Sequence, residues 1–150
     1  MIVACPDTSF LCAIYRHQDN SNAAADILKE LAEPLSVSFM LLYEFRQSTR
    51  FQIFRHTQNP ANGFPKAEGL KSLCDLQSDI TTGAVIVIPI DWADVHNIAE
   101  RISAQYTMAK GHRTMDILHI ATALHAGARQ FISFDENQRK LAAAEGLEVL

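Results

Sequence analysis

Short unbroken apolar runs alternate along this chain with longer stretches of helical spacing, and that alternation sets the predicted elements. Met1–Cys5 is a compact apolar run that reads as a first, central strand, with Pro6 ending its pairing and Asp7 at its tip. Asp7 or Thr8 would cap a helix through Tyr15. Ser21 or Asn22 opens a second helix with Ala25, Leu28, Leu31 and Ala32 as its apolar face, stopped by Pro34. Leu35–Ser38 reads as a second strand. The helix from Met40 to about His56 carries Leu41, Leu42, Phe45, Phe51 and Phe54.

The second half repeats the alternation. Thr57–Pro65, with Asn59-Pro60 and Gly63-Phe64-Pro65, is a loop too short to divide two domains. A helix over Lys66–Thr82 has Leu70, Leu73, Cys74 and Leu76 as its apolar side, although Gly69 weakens it. Ala84–Ile90 is β-branched and apolar, a third buried strand, and Asp91 caps a helix through about Ala109 with Val95, Ile98, Ala99 and Ile102 inward. After the basic loop Lys110–Arg113, Thr114 is a plausible cap for a helix whose Ile117, Ile120, Ala121 and Leu124 recur at i, i+3, i+4, i+7 until Gly127. Phe131–Phe134 is a buried strand with Asp135 where it stops. Asn137–Ala144 is a short helix, and Leu147–Leu150 a last strand.

Strands alternating with helices imply right-handed crossovers and a parallel sheet whose strand tips share one edge. In open α/β sheets ligands bind at that edge. Asp7 and Asp135 follow strands directly, while Glu44 and Asp116 stand in the early turns of helices that lead away from the edge. Taken singly, Asp7 reads first as an N-cap, and Glu44 as readily as a solvated surface acid. Together, four carboxylates at one edge would repel unless a proton or a cation intervened. An oxygen-only set suits Mg²⁺ or Mn²⁺.

Composition narrows the alternatives. A chain of 150 residues is expected to form one domain, spanning 1–150, and 48% hydrophobic with 20% charged residues is ordinary for a soluble globular protein. No apolar run approaches a membrane span, and the N-terminus lacks a signal-peptide pattern, so the expected compartment is the cytoplasm. Cys5, Cys12 and Cys74 form no metal or redox spacing and read as reduced core residues. A formal net charge of −4 argues against a protein that coats nucleic acid by charge alone, but not against a nuclease with an acidic centre.

Local basic residues remain. Arg46 and Arg50, four apart on one helix, and Arg113 before the late helix are candidate phosphate contacts, or else solvated positions. His112, His119 and His125 have no compact ligand spacing; His119, one turn after Asp116, reads as packing or as support for the acids. G-x-x-x-x-G-K-[ST], G-x-G-x-x-G and G-x-S-x-G are all missing, which removes support for P-loop, dinucleotide and α/β-hydrolase chemistry. A phosphoacceptor receiver domain would need an acidic pair after the first strand and a lysine after a late one, and neither is present.

Asp7-Thr-Ser, Glu44 in Leu-Leu-Tyr-Glu-Phe, Asp116 in Met-Asp-Ile-Leu-His-Ile-Ala-Thr-Ala-Leu, and Asp135 in Phe-Ile-Ser-Phe-Asp-Glu-Asn-Gln occur in this order. In that order and setting the chain resembles the PIN-domain ribonucleases, especially the VapC-like toxins of toxin–antitoxin pairs. The resemblance implies a three-layer α/β/α domain around a five-stranded parallel sheet in order 3-2-1-4-5. It implies Mg²⁺- or Mn²⁺-dependent endoribonuclease activity, with Asp7, Glu44, Asp116 and Asp135 as catalytic and metal-binding acids. Ser9, Ser133 and Asn137 would support them, and Ser133 stands where the family more often has Thr. An RNA substrate, an antitoxin partner and a homodimer are also implied. The competing expectation is a catalytically silent PIN-like module that binds RNA or a protein.

Overall fold

The computed structural model describes residues 4–150. The chain runs β1 (Ala4–Pro6), α1 (Thr8–Tyr15), α2 (Ser21–Glu30), β2 (Leu35–Val37), α3 (Phe39–Gln58), α4 (Lys66–Thr82) and β3 (Val85–Val87). It continues as α5 (Trp92–Ile102), a π-helical segment (Ser103–Thr107) leading into α6 (Met108–Lys110), α7 (Thr114–His125), β4 (Gln130–Ile132), α8 (Glu136–Ala144) and β5 (Glu148–Val149). Every expected strand and helix is therefore found, though the strands are shorter than expected. The expected first strand reaches back to Met1–Val3, which lie outside the described residues.

Side-chain alternation along the strands builds two cores. Ala4 and Ile132 face a cluster with Phe10, Leu11, Leu42, Phe45 and Leu76 from α1, α3 and α4. Cys5 and Phe131 face the opposite cluster, with Val95, Ile102, Ile120, Ala121 and Leu141 from α5, α7 and α8. Helices thus cover both faces of the strands, the expected α/β/α layering. Burial pushes the Cys5 thiol up to about 12 and that of Cys12 to about 11, so both are inert core residues. Cys74 is exposed, contrary to expectation.

The single five-stranded ladder is not observed. All pairings are parallel, but they form a three-stranded sheet, β1-β4-β5, and a two-stranded sheet, β2-β3. β1 and β2 still lie side by side. Pro6 supplies a physical reason for the seam. The Asp7 amide donates to Ile132 O at 3.0 Å. Backbone groups alternate between the two edges of a strand, so position 6 faces the other edge, toward β2, where proline has no N–H to give. Nor does Pro6 end the pairing: it sits in register with Ile132.

Several apolar faces also differ from the expected ones. α2 buries Ala24 and half-buries Ile27 and Leu28, while Ala25 faces out and Ala32, beyond the helix end, is exposed. α4 turns Gly69, Ser72 and Leu76 inward and leaves Leu70 and Cys74 exposed. Gly69 has a packing reason: a Cβ there would stand 2.5 Å from Ile53 Cδ1 of α3. β3 is an edge strand with Ile86 45% exposed, not a fully buried one. Arg113, not Thr114, is the residue preceding α7, without a side-chain cap. Phe51 and Phe54 are exposed. α3 is 20 residues long. That length, about 30 Å at the helical rise, carries its second half beyond the main core.

Candidate active site

The strand tips and helix starts deliver the four acids to one end of the molecule, where side-chain contacts and chain neighbours together link them in a circuit. Asp7 caps α1 by accepting from the Phe10 amide at 3.0 Å. It is fully buried and accepts three further bonds, from Ser9 Oγ at 2.6 Å, Ser133 Oγ at 2.6 Å and Gln138 Nε2 at 2.9 Å. Burial pushes its carboxyl up, offset in part by Ser133, Ser9 and the Phe10 amide. The hydroxyls are fixed in turn: Ser9 Oγ accepts from Phe134 N and Ser133 Oγ from Asp135 N, each at 2.9 Å. Asp7 is therefore both a cap and the buried anchor of the group.

Asp135 caps α8 through the Gln138 amide at 3.0 Å and keeps its side chain partly exposed. Asp116, in the first turn of α7, is mostly buried, which suits the positive helix end. Arg113 joins these two. Its Nε lies 2.9 Å from Asp116 Oδ2 and its Nη2 3.7 Å from Asp135 Oδ2, while 75% of its side chain is exposed. A guanidinium thus sits between two carboxylates, and this basic residue belongs to the acidic group.

Glu44 closes the circuit. Its Oε2 accepts from Thr8 Oγ1, next to Asp7, and from His119 Nε2, one turn along α7 from Asp116. Burial alone would raise the Glu44 carboxyl. The hydrogen bonds from His119 and Thr8 and the charges of His119 and Arg113 outweigh it and hold Glu44 below the ordinary carboxylate value. Among the described residues, no three His, Cys, Asp or Glu side chains stand as a ready-made metal cage. The acids are at present held by protein donors. The donor chemistry nevertheless fits a hard cation: oxygen ligands from four carboxylates, two of them already gathered on the positive charge of Arg113.

The PIN domain family profile matches residues 4–144. The chain belongs to the PIN-domain family. No curated protein matches it in sequence. Among solved structures, Mycobacterium tuberculosis VapC20, described as a sarcin-ricin loop cleaving toxin, aligns with TM-score 0.67 at 15% identity, over 96% of this chain and 95% of that one. FitAcB from Neisseria gonorrhoeae aligns with TM-score 0.64 at 15% identity, over 99% and 96%. VapBC2 from Rickettsia felis, bound to a DNA fragment from its promoter, aligns with TM-score 0.64 at 14% identity, over 99% and 98%. At these identities the likeness is one of fold.

The other expected residues divide. Ser9 and Ser133 hold Asp7 directly. Asn137 is exposed, and the residue of α8 that reaches Asp7 is Gln138. Arg46 donates to Gln77 of α4 at 3.2 Å, on a side of α3 away from Glu44, and Arg50 is exposed. Sequence reasoning missed Thr8 and Gln138 and gave His119 only a supporting place. One signal existed: Asp135-x-x-Gln138 is a capping-box spacing, which marks Gln138 as a residue near the strand tip.

Proposed function

We propose that this PIN domain, spanning residues 1–150, is a metal-dependent endoribonuclease and the toxin of a toxin–antitoxin pair. The observation that carries the reading is the circuit of four acids around Arg113 and His119 at the strand tips. Asp7, Glu44, Asp116 and Asp135 would hold Mg²⁺ or Mn²⁺. A bound divalent ion lowers the pKa of an attacking water and neutralises charge at the leaving oxygen of a phosphodiester. The protein's own groups do the rest. Asp7, fixed by four donors, sets the floor of the site. Glu44 is ionised at neutral pH and can accept a proton or orient water. Arg113, exposed and beside the acids, is placed to take a phosphate oxygen. Arg46 and Arg50 remain candidate RNA contacts, although Arg46 would first have to release Gln77.

An antitoxin that blocks this edge and a homodimeric assembly are proposed with the toxin role. The likeness in fold to VapBC2 and FitAcB supports the partner. The competing reading, a silent RNA- or protein-binding module, draws on the same Arg113, whose charge already balances Asp116 and Asp135. An RNA digest with MgCl₂ or MnCl₂, run beside calorimetric metal titration, separates the two. The nuclease cuts RNA and loses that activity on Asp116→Asn with its fold retained. Metal or RNA binding without cutting is the outcome of the silent module.

A further inference from the structure

Glu44 is the acid that stands on the longest helix, and the face carrying it continues outward as an aromatic track. Tyr43 is 66% exposed and Phe51 52%; Phe39 and Phe54 are exposed as well, and the Phe51 and Phe54 rings stack at 6.0 Å. At about 100° per residue, Glu44, Ser48, Phe51 and Arg55 fall within about 60° of one another around α3, with Tyr43 and Gln47 on one flank. An open recess of about 470 Å³ lies against this face, lined by Tyr43, Glu44, Gln47, Ser48, Phe51 and Met115. Glu44 itself is part of its wall, and Met115 precedes Asp116. The recess therefore opens onto the acidic circuit.

So large a set of exposed aromatics marks a binding surface. Its charge pattern indicates the ligand. Arg50 and Arg55 are exposed beside the outer part of the track, in a chain of net charge −4. From Glu44 to Arg55 the helix rises about 16 Å. An acid centre, an aromatic platform and then cations follow one another along a line, as an extended polynucleotide presents phosphate, base and phosphate. An apolar peptide would draw nothing from Arg55 and would strip water from the Glu44 carboxylate without supplying a partner.

We propose that this recess is a nucleobase subsite for single-stranded RNA. The base beside the phosphate held at the acids stacks on Tyr43 and a following base on Phe51, about 12 Å along the helix, Gln47 offers its amide to a base edge, and a later phosphate meets Arg55. The location of the first phosphate rests on the endoribonuclease reading above.

The test is the binding of fluorescein-labelled single-stranded oligoadenylate, followed by anisotropy, to the full chain carrying Asp116→Asn so that the probe stays intact. Adding Tyr43→Leu and Phe51→Leu keeps the surface apolar and removes the stacking faces. Oligoadenylate affinity is expected to fall about tenfold. An abasic ribose-phosphate probe is expected to bind both proteins alike. Arg55→Gln is expected to lower the slope of log affinity against log salt by about 0.7, the value of one single-strand phosphate contact. Equal oligoadenylate affinity with and without the leucines overturns the subsite. So does unchanged RNA binding with an altered oligomeric state by light scattering, which would make the recess a protein interface. Unchanged melting temperatures check that all variants fold. A parent chain that never cuts RNA with MgCl₂ or MnCl₂ yet shows the stacking-dependent binding would refute the nuclease reading and leave the subsite standing.

Discussion

Arg113 Nε donates to Asp116 Oδ2 at 2.9 Å across the first turn of α7, and the same guanidinium reaches 3.7 Å to Asp135. If Asp116 and Asp135 hold a divalent ion, as proposed, the guanidinium would compete with it for their charge, and its 75% exposure leaves it room to move aside. Arg113→Ala should therefore raise Mn²⁺ affinity, by roughly threefold to tenfold if the local dielectric is that of a partly exposed site. Without metal the variant should lose no more than about 1 kcal/mol, because the pair is solvent-screened. Isothermal titration and urea unfolding measure the two effects. A fall in Mn²⁺ affinity would mean that Arg113 organises the acids and does not compete for them.

Ser133 bonds Asp7 and the Asp135 amide together. Ser133→Ala removes a donor from a fully buried carboxylate and leaves the part-buried Asp135 N–H without its acceptor. The expected cost is about 1–3 kcal/mol. Ser133→Thr restores the hydroxyl and should recover much of the loss if the extra methyl fits. Chemical denaturation of the three proteins compares them.

Glu44 gives a pH dependence with a definite sign. Its folded-state pKa lies below the ordinary value, so its ionised form stabilises the fold above the unfolded pKa of about 4.3. That contribution disappears as pH falls through the lowered folded value. Asp7 acts oppositely: its raised pKa makes its buried charge a cost that appears as pH rises. Glu44→Gln should be less stable than the parent at neutral pH, and the gap should narrow on acidification below the ordinary carboxylate range. Thermal melts of both proteins across that range test this. A gap that widens there contradicts the assignment.

Gly63 sits at φ +62°, and a Cβ on it would fall 2.0 Å from Gln52 O in the backbone of α3. Gly63→Ala should destabilise by more than about 1 kcal/mol, since neither the dihedral nor the contact can relax within a side chain. The loop it belongs to, expected only as a connector, is thus a fitted brace for the outer half of α3. A denaturant midpoint matching the parent's would refute this.

The sequence exposed the elements more clearly than their faces. α7 was readable because its spacing of Ile117, Ile120 and Ala121 is strong and all three are buried. The positions of Asp116 and Asp135 followed from helix start and strand end, which depend on local chemistry. The sequence places Phe51 and Phe54 on α3 but not the side they face, because periodicity cannot tell a core face from an aromatic face turned to solvent. Gln138 was missed for Asn137 because one residue of helix register decides which side chain points at Asp7. The break between β1 and β2 turns on the edge that Pro6 faces, which only strand pairing reveals.

That break divides the acids. Asp7 and Asp135 hang from the hydrogen-bonded ladder of β1 and β4, and Asp116 is tied to Asp135 through Arg113. Glu44 rides on the helix that follows β2, across a boundary with no rung of backbone bonds among the described residues. Three acids thus belong to one ladder and the helices packed on it, and the fourth is joined to them across the seam by side chains alone, through Thr8 and His119.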